Sequence, residues 1–109
     1  MAETNAYKLL YQGQLGNSVS TLATVGTGLA WIIKHIAVVN NDSTARTFGL
    51  YRQGAVAANV ITPPNMSVPA GGMAEWDGTM ALAAAETFRG GASVATQLTI
   101  TISGDEVTL

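Results

Sequence analysis

The longest apolar run of the chain is Leu29-Ala30-Trp31-Ile32-Ile33-Lys34-His35-Ile36-Ala37-Val38-Val39-Asn40. Gly26 and Gly28 precede it, and Asn40-Asn41-Asp42-Ser43 closes it, so turn-forming residues frame both ends. Its length would also suit a helix. Its isoleucines and valines argue for a strand, because a branched Cβ loses rotamer freedom in a helix and packs well on a pleated sheet. Strands of antiparallel sheets usually alternate apolar and polar positions. This one is apolar on both faces except at Lys34 and His35. Unbroken alternation puts Ile32, Ile36 and Val38 in a core. It turns Trp31, Ile33, Ala37 and Val39 the other way, where they need a second cover from the N-terminal segment or another subunit.

The remaining chain supplies partners for that strand. Ser20 to Val25 is a short, Thr-rich strand. Arg46 to Gln53 alternates, with Phe48, Leu50 and Arg52 on one side, and is expected to form a hairpin with Leu29–Asn40. Gly54 to Ala58 reads as a small-residue connection. Val60-Ile61-Thr62 reads as a short strand stopped by Pro63-Pro64, and Asn65 to Val68 resumes before the turn Pro69-Ala70-Gly71-Gly72. Met73 to Asp77 alternates up to an expected turn at Asp77-Gly78. Met80 to Glu86 is too short to stand as a helix and reads as a strand running into a turn, with one helical turn as the exception. Thr87 to Arg89 is a short strand that Gly90-Gly91 is expected to break. Gln97 to Ser103 alternates most cleanly, with Leu98, Ile100 and Ile102 on one face, before an expected turn at Gly104-Asp105.

Strands thus recur with turn residues between them, which predicts an all-β, antiparallel β-sandwich of about eight short strands, jelly-roll-like or Ig-like. Residues 1–18 are expected to be an N-terminal arm or edge strand and residues 19–109 the sandwich domain. Tyr7, Leu9 and Tyr11 in that arm are apolar enough to dock on something.

Composition narrows the functional classes. The chain has 109 residues, 48% hydrophobic and 11% charged, against about 25% charged in an average domain. Such a surface is either rich in Thr, Ser, Asn and Gly or partly covered by other protein. Net charge is -2, and Lys8, Lys34, Arg46, Arg52 and Arg89 are scattered, so no basic stripe exists for nucleic acid. No segment approaches a membrane span, and Met1 to Leu10 lack a signal-peptide pattern. Without cysteine there are no disulfides, thiolate metal sites or cysteine nucleophiles.

Candidate chemistry is sparse. The sole histidine, His35, lies in the most apolar strand, and no Gly-x-Ser-x-Gly elbow accompanies it, so a structural histidine is the reading. Glu75 and Asp77 share a strand face, but the Gly78 that follows favours a solvated turn. One histidine and scattered acids offer no metal motif, and no glycine pair leads into a phosphate-binding helix. Trp31 and Trp76 read as core residues before stacking platforms. No catalytic, cofactor or metal residue is assigned.

Several segments together carry a resemblance. They are Ile32-Ile33-Lys34-His35-Ile36-Ala37-Val38-Val39-Asn40, Thr47-Phe48-Gly49-Leu50-Tyr51, Val68-Pro69-Ala70-Gly71-Gly72, Glu86-Thr87-Phe88-Arg89 and Thr99-Ile100-Thr101-Ile102-Ser103-Gly104-Asp105-Glu106-Val107. Over most of its length after about residue 20, the chain resembles the small all-β virion proteins of tailed bacteriophages. It departs from them at Val25-Gly26-Thr27-Gly28, which lacks their proline. The resemblance implies no enzyme activity. It implies a virion structural protein, foremost a capsid decoration (cement) protein on the head surface, assembled in the host cytoplasm. Its partners would be the major capsid protein and itself, as a homotrimer, with no nucleic acid and no membrane. Tail and neck proteins share the look, and a carbohydrate-binding module at a tail tip is the reading from another class. That last reading needs Trp76, Glu75 and Asp77 exposed together. Tyr7, Leu9, Tyr11, Trp31, Ile33 and Val39 are the expected oligomer or capsid contacts.

Overall fold

The computed structural model describes residues 4–53, 61–62 and 65–109. The expected Gly54–Ala58 connection, Val60 and the Pro63-Pro64 stop lie outside these residues. Eight strands follow in order among them: β1 (Thr4–Gln14), β2 (Ser20–Thr24), β3 (Leu29–Asn40), β4 (Arg46–Arg52), β5 (Met66–Val68), β6 (Met73–Leu82), β7 (Thr87–Ala92) and β8 (Leu98–Thr108). They form two four-stranded sheets, ordered β1-β8-β3-β6 and β2-β7-β4-β5, with every pair antiparallel. The chain changes sheet at every connection except β4 to β5. This interleaved strand order is that of a jelly roll.

Segments 1–18 and 19–109 are not separated by the pairing. β1 is an edge strand of the first sheet and pairs with β8 from Thr4↔Thr108 to Gln14↔Thr99. Met80 to Glu86 makes no helix: β6 runs to Leu82, and the Glu86 carboxylate then accepts the Ala83 N–H at 2.6 Å to close the turn. Ile61 and Thr62 are not a strand. They dock on β4, where the Ile61 N–H donates to the Leu50 carbonyl and the Thr62 hydroxyl accepts the Leu50 N–H.

β4 is not the hairpin partner of β3 that its spacing suggests. It lies in the opposite sheet, between β7 and β5, and β3 pairs instead with β8 and β6. The corner is set by buried Asn40. Its amide donates to the carbonyls of Thr44 (2.9 Å) and Val68 (3.1 Å), and its side-chain oxygen accepts the Asp42 N–H (2.8 Å). Those bonds bend the chain from one layer to the other, so that Phe48 and Leu50 close the core opposite β3 rather than beside it. Each large side chain buried there contributes roughly 1.5–3 kcal/mol relative to exposure.

The side chains of β3 do not alternate without a break. Ile33 pairs with Gly104 of β8, but His35 pairs with the next residue, Ser103, leaving Lys34 extra. This β-bulge switches the phase of the strand. Before it, Trp31 and Ile33 point into the core, and after it Ile36, Val38 and Asn40 do. Trp31 and Ile33, expected on the outward contact face, are therefore 7% and 0% exposed. Ile32, expected inside, shares a register row with Asp105 and Ala81 on the outer face and is half-buried. The puzzle of a strand apolar on both faces is largely the signature of this phase change.

Glycine residues read as turns serve the same packing. Asp77-Gly78, Gly90-Gly91 and Gly104-Asp105 all lie inside strands. Gly78 and Thr79 together face Lys34 across β6. A Cβ on Gly104 would sit 2.1 Å from the Ile32 carbonyl oxygen, and one on Gly91 would sit 2.7 Å from the Ser18 backbone. At Gly91 and Gly104 the sequence signal is the same as for a turn, but the cause is close backbone approach.

Gly104→Ala should therefore cost about 1–3 kcal/mol, because fixed backbone must shift to admit one methyl group. Gly16→Ala, with no heavy atom closer than 3.9 Å to the new carbon, is the matched control. Urea unfolding should separate the two variants clearly, and equal midpoints would remove Gly104 from its role at the bulge.

Candidate functional site

The bulge also decides what the outer face of the first sheet carries. Beyond Lys34, His35, Ala37 and Val39 point outward, in register with Asp77, Glu75 and Met73 of β6 and with Ser103, Thr101 and Thr99 of β8. On the far side β1 adds Tyr7 and Leu9, opposite Asp105 and Ser103. Tyr7, Leu9 and Met73 are 64%, 52% and 51% exposed, while Ile32, Ala37 and Val39 are half-buried. This sheet face mixes apolar and hydroxyl side chains with a group of charged ones.

The expected contact residues divide between the two faces. Tyr7, Leu9 and Val39 lie on this outer face. Trp31 and Ile33 belong to the core, as the bulge requires. Tyr11 also leaves the outer face, because Leu9 pairs with Ser103 and Tyr11 with Ile102, with Leu10 extra between them. That second bulge packs Leu10 and Tyr11 against the core.

The charges on the face are arranged locally. Lys34, the extra residue, reaches Asp105 at 3.0 Å. His35 lies between two carboxylates, with Nδ1 at 2.7 Å from Asp77 Oδ1 and Nε2 at 3.6 Å from Glu75 Oε2. One potential donor atom from each of the three residues lies within 4.8 Å of the others. Sequence reading missed this trio because it scattered His35 and the acids over different elements. The signal that finds it is register: His35 faces Asp77 directly and Glu75 diagonally. Ser103 stands across from His35 on β8, which places a serine, a histidine and an aspartate in one row. The imidazole, however, directs its nitrogens at the two carboxylates.

Trp76 does not join Glu75 and Asp77. It pairs with Ile36 on the inward side and packs against the core, whereas the two carboxylates face outward. The exposed trio that a carbohydrate platform needs is not formed. Trp76 instead borders a mainly apolar recess of about 140 Å³ between the sheets, with Ile36, Phe48 and Met66.

Three other carboxylates tie strands and turns together. The Lys8 ammonium and the Trp31 indole N–H hold Glu106 below the usual carboxylate range. This joins β1, β8 and β3. Arg46 and the Ser43 N–H do the same for Asp42 in the β3–β4 turn. The Ala83 N–H, assisted by Arg52 and Gln53, lowers Glu86.

No protein-family model matches the chain, and no curated protein matches it. Among solved structures it is similar to a chain from the structure of infectious bursal disease virus Gx strain, at 12% identity over 96% of this chain and 31% of that one, with a TM-score of 0.48. It is also similar to a pentameric capsid protein isolated from metagenomic phage sequences, at 17% identity over 94% of this chain and 64% of that one, TM-score 0.35. A second structure of such a protein gives 15% identity, 94% and 68% coverage and the same TM-score. The chain thus spans under a third of the first of these proteins. Likenesses this loose transfer no activity or partner, and the assignment of the fold rests on the strand order of the chain itself.

Asp42, Glu86 and Glu106 predict acid sensitivity of a definite sign. Each has its folded pKa depressed, so the unfolded chain binds more protons at acid pH. Their contribution is full above the ordinary carboxylate value of about 4 and is lost as pH falls through the lowered folded values. The urea midpoint should fall through that window, and Glu86→Gln should flatten the fall. A midpoint that rises on acidification would contradict these assignments.

Proposed function

We propose that the chain is a non-enzymatic virion structural protein, a capsid decoration protein that binds the outside of a phage head and stabilises the joints between capsomers. The observation that carries this reading is the outer face of the β1-β8-β3-β6 sheet. It presents exposed Tyr7, Leu9 and Met73 beside half-buried Ile32 and Val39, on a fold used widely in viral capsids. Exposed large apolar side chains along both margins of one sheet face suit an interaction surface. The low charge of the chain suits a surface covered on assembly, and its mildly acidic balance suits a position outside the packaged DNA.

A homotrimer on the capsid gains from repetition, since several modest patches acting together bind far more tightly than one. The major capsid protein is then the main partner, the location is the virion surface, and the mechanism is mechanical: added interface across joints that internal pressure strains. Catalysis has little support. The His35 row lies on an open sheet face, and an acyl-transfer site needs preorganised donors around a developing oxyanion. The resemblance to phage virion proteins also fits a tail or neck location, which the test below separates. The tail-tip carbohydrate reading loses its main support with Trp76 turned inward.

Purified protein mixed with expanded heads lacking it should bind saturably and raise the temperature at which the heads open. Tyr7→Ser combined with Leu9→Ser should weaken that binding at least about tenfold, the loss of two well-buried contacts, while leaving the fold intact by circular dichroism. Absence from heads together with presence in isolated tails would overturn the decoration role.

A further inference from the structure

We propose that His35 and Glu75 form a binding site for a zinc-class divalent cation, with Asp77 as the positioning residue. The position of the proton on the His35 imidazole comes first. Asp77 Oδ1 lies 2.7 Å from Nδ1, and a carboxylate can only accept, so the neutral ring keeps its proton on Nδ1. Nε2 then carries a lone pair. It faces Glu75 Oε2 at 3.6 Å, another acceptor. Two acceptors held this way leave a place between them that a cation fits.

The spacing selects the kind of cation. Zinc binds histidine nitrogen and carboxylate oxygen at about 2.0–2.2 Å in tetrahedral geometry, which puts two such ligand atoms about 3.4 Å apart. The observed 3.6 Å needs only a small adjustment of two half-exposed side chains. An imidazole ligand favours zinc, cobalt or nickel over calcium and magnesium, which prefer oxygen. Asp77 then performs the orienting role that carboxylates have behind metal-bound histidines: it fixes the tautomer and sets the ring plane. The bulge at Lys34 is what makes the arrangement possible, since it turns His35 onto the face of Glu75 and Asp77. The remaining coordination positions point to solvent and are filled by water. The site stands independently of the virion reading.

The chain has one histidine, so its imidazole signals in NMR are unambiguous. Zinc chloride added to the purified protein should shift them saturably at one ion per chain, and cobalt should compete. The neutral ring before addition should be the Nδ1–H tautomer. Glu75→Gln should weaken binding at least about tenfold, and Asp77→Asn by roughly 10–100-fold, with the ion still on Nε2. His35→Gln should abolish it. Glu75 and Asp77 are exposed, so the first two variants test the site without threatening the fold. Unmoved imidazole signals at roughly millimolar zinc, an Nε2–H neutral tautomer, or undiminished affinity in Glu75→Gln would each overturn the proposal.

Discussion

Lys34 is one residue more than β8 can pair, and the first sheet is built to accommodate it. Gly104 of β8 leaves room for the Ile32 carbonyl, and β6 places two residues, Gly78 and Thr79, against the one. The extra residue reverses the phase of β3 halfway along. Without it, Trp31 and Ile33 could not enter the same core as Ile36 and Val38, and His35 could not face outward. The core face of β3, the need for glycine at 104 and the placing of His35 on the outer face all follow from this one insertion.

The fold class was legible because strand propensity and turn spacing are local properties. Leu98, Ile100 and Ile102 alternate and are all fully buried. The errors came from non-local causes. Arg46–Arg52 has the right pattern for a hairpin with β3, yet the bonds of the Asn40 side chain to Thr44 and Val68 send it to the other sheet. Gly78, Gly91 and Gly104 look like turn residues in any window, but a Cβ there would meet the Trp76 ring, the Ser18 backbone and the Ile32 carbonyl respectively. A bulge leaves a trace in sequence only as a strand that is apolar on both faces. That trace was visible in Leu29–Asn40 and invited a second cover for Trp31 and Ile33, which the phase change makes unnecessary.

The outer face was legible only in part. Tyr7, Leu9 and Val39 could be placed there by alternation, because no bulge intervenes between Tyr7 and Leu9 and alternation resumes after Lys34. Tyr11 could not, since β1 carries its own extra residue at Leu10. The His35–Glu75–Asp77 group depends on the register between β3 and β6, which no local pattern reveals. What remains outside the core after these corrections is a smaller and more polar surface than a wholly apolar strand would suggest. It retains exposed Tyr7, Leu9 and Met73 at its margins and a charged cluster beside Ala37. A surface of that kind suits a protein held by several modest contacts rather than one deep hydrophobic anchor.

Cross-strand NOEs on isotope-labelled protein test the phase change at Lys34 most directly. The bulge predicts that Ile33 pairs with Gly104 and His35 with Ser103, with Lys34 left without its own partner on β8. An unbroken ladder, in which Lys34 pairs with Ser103 and His35 with Ile102, would contradict it.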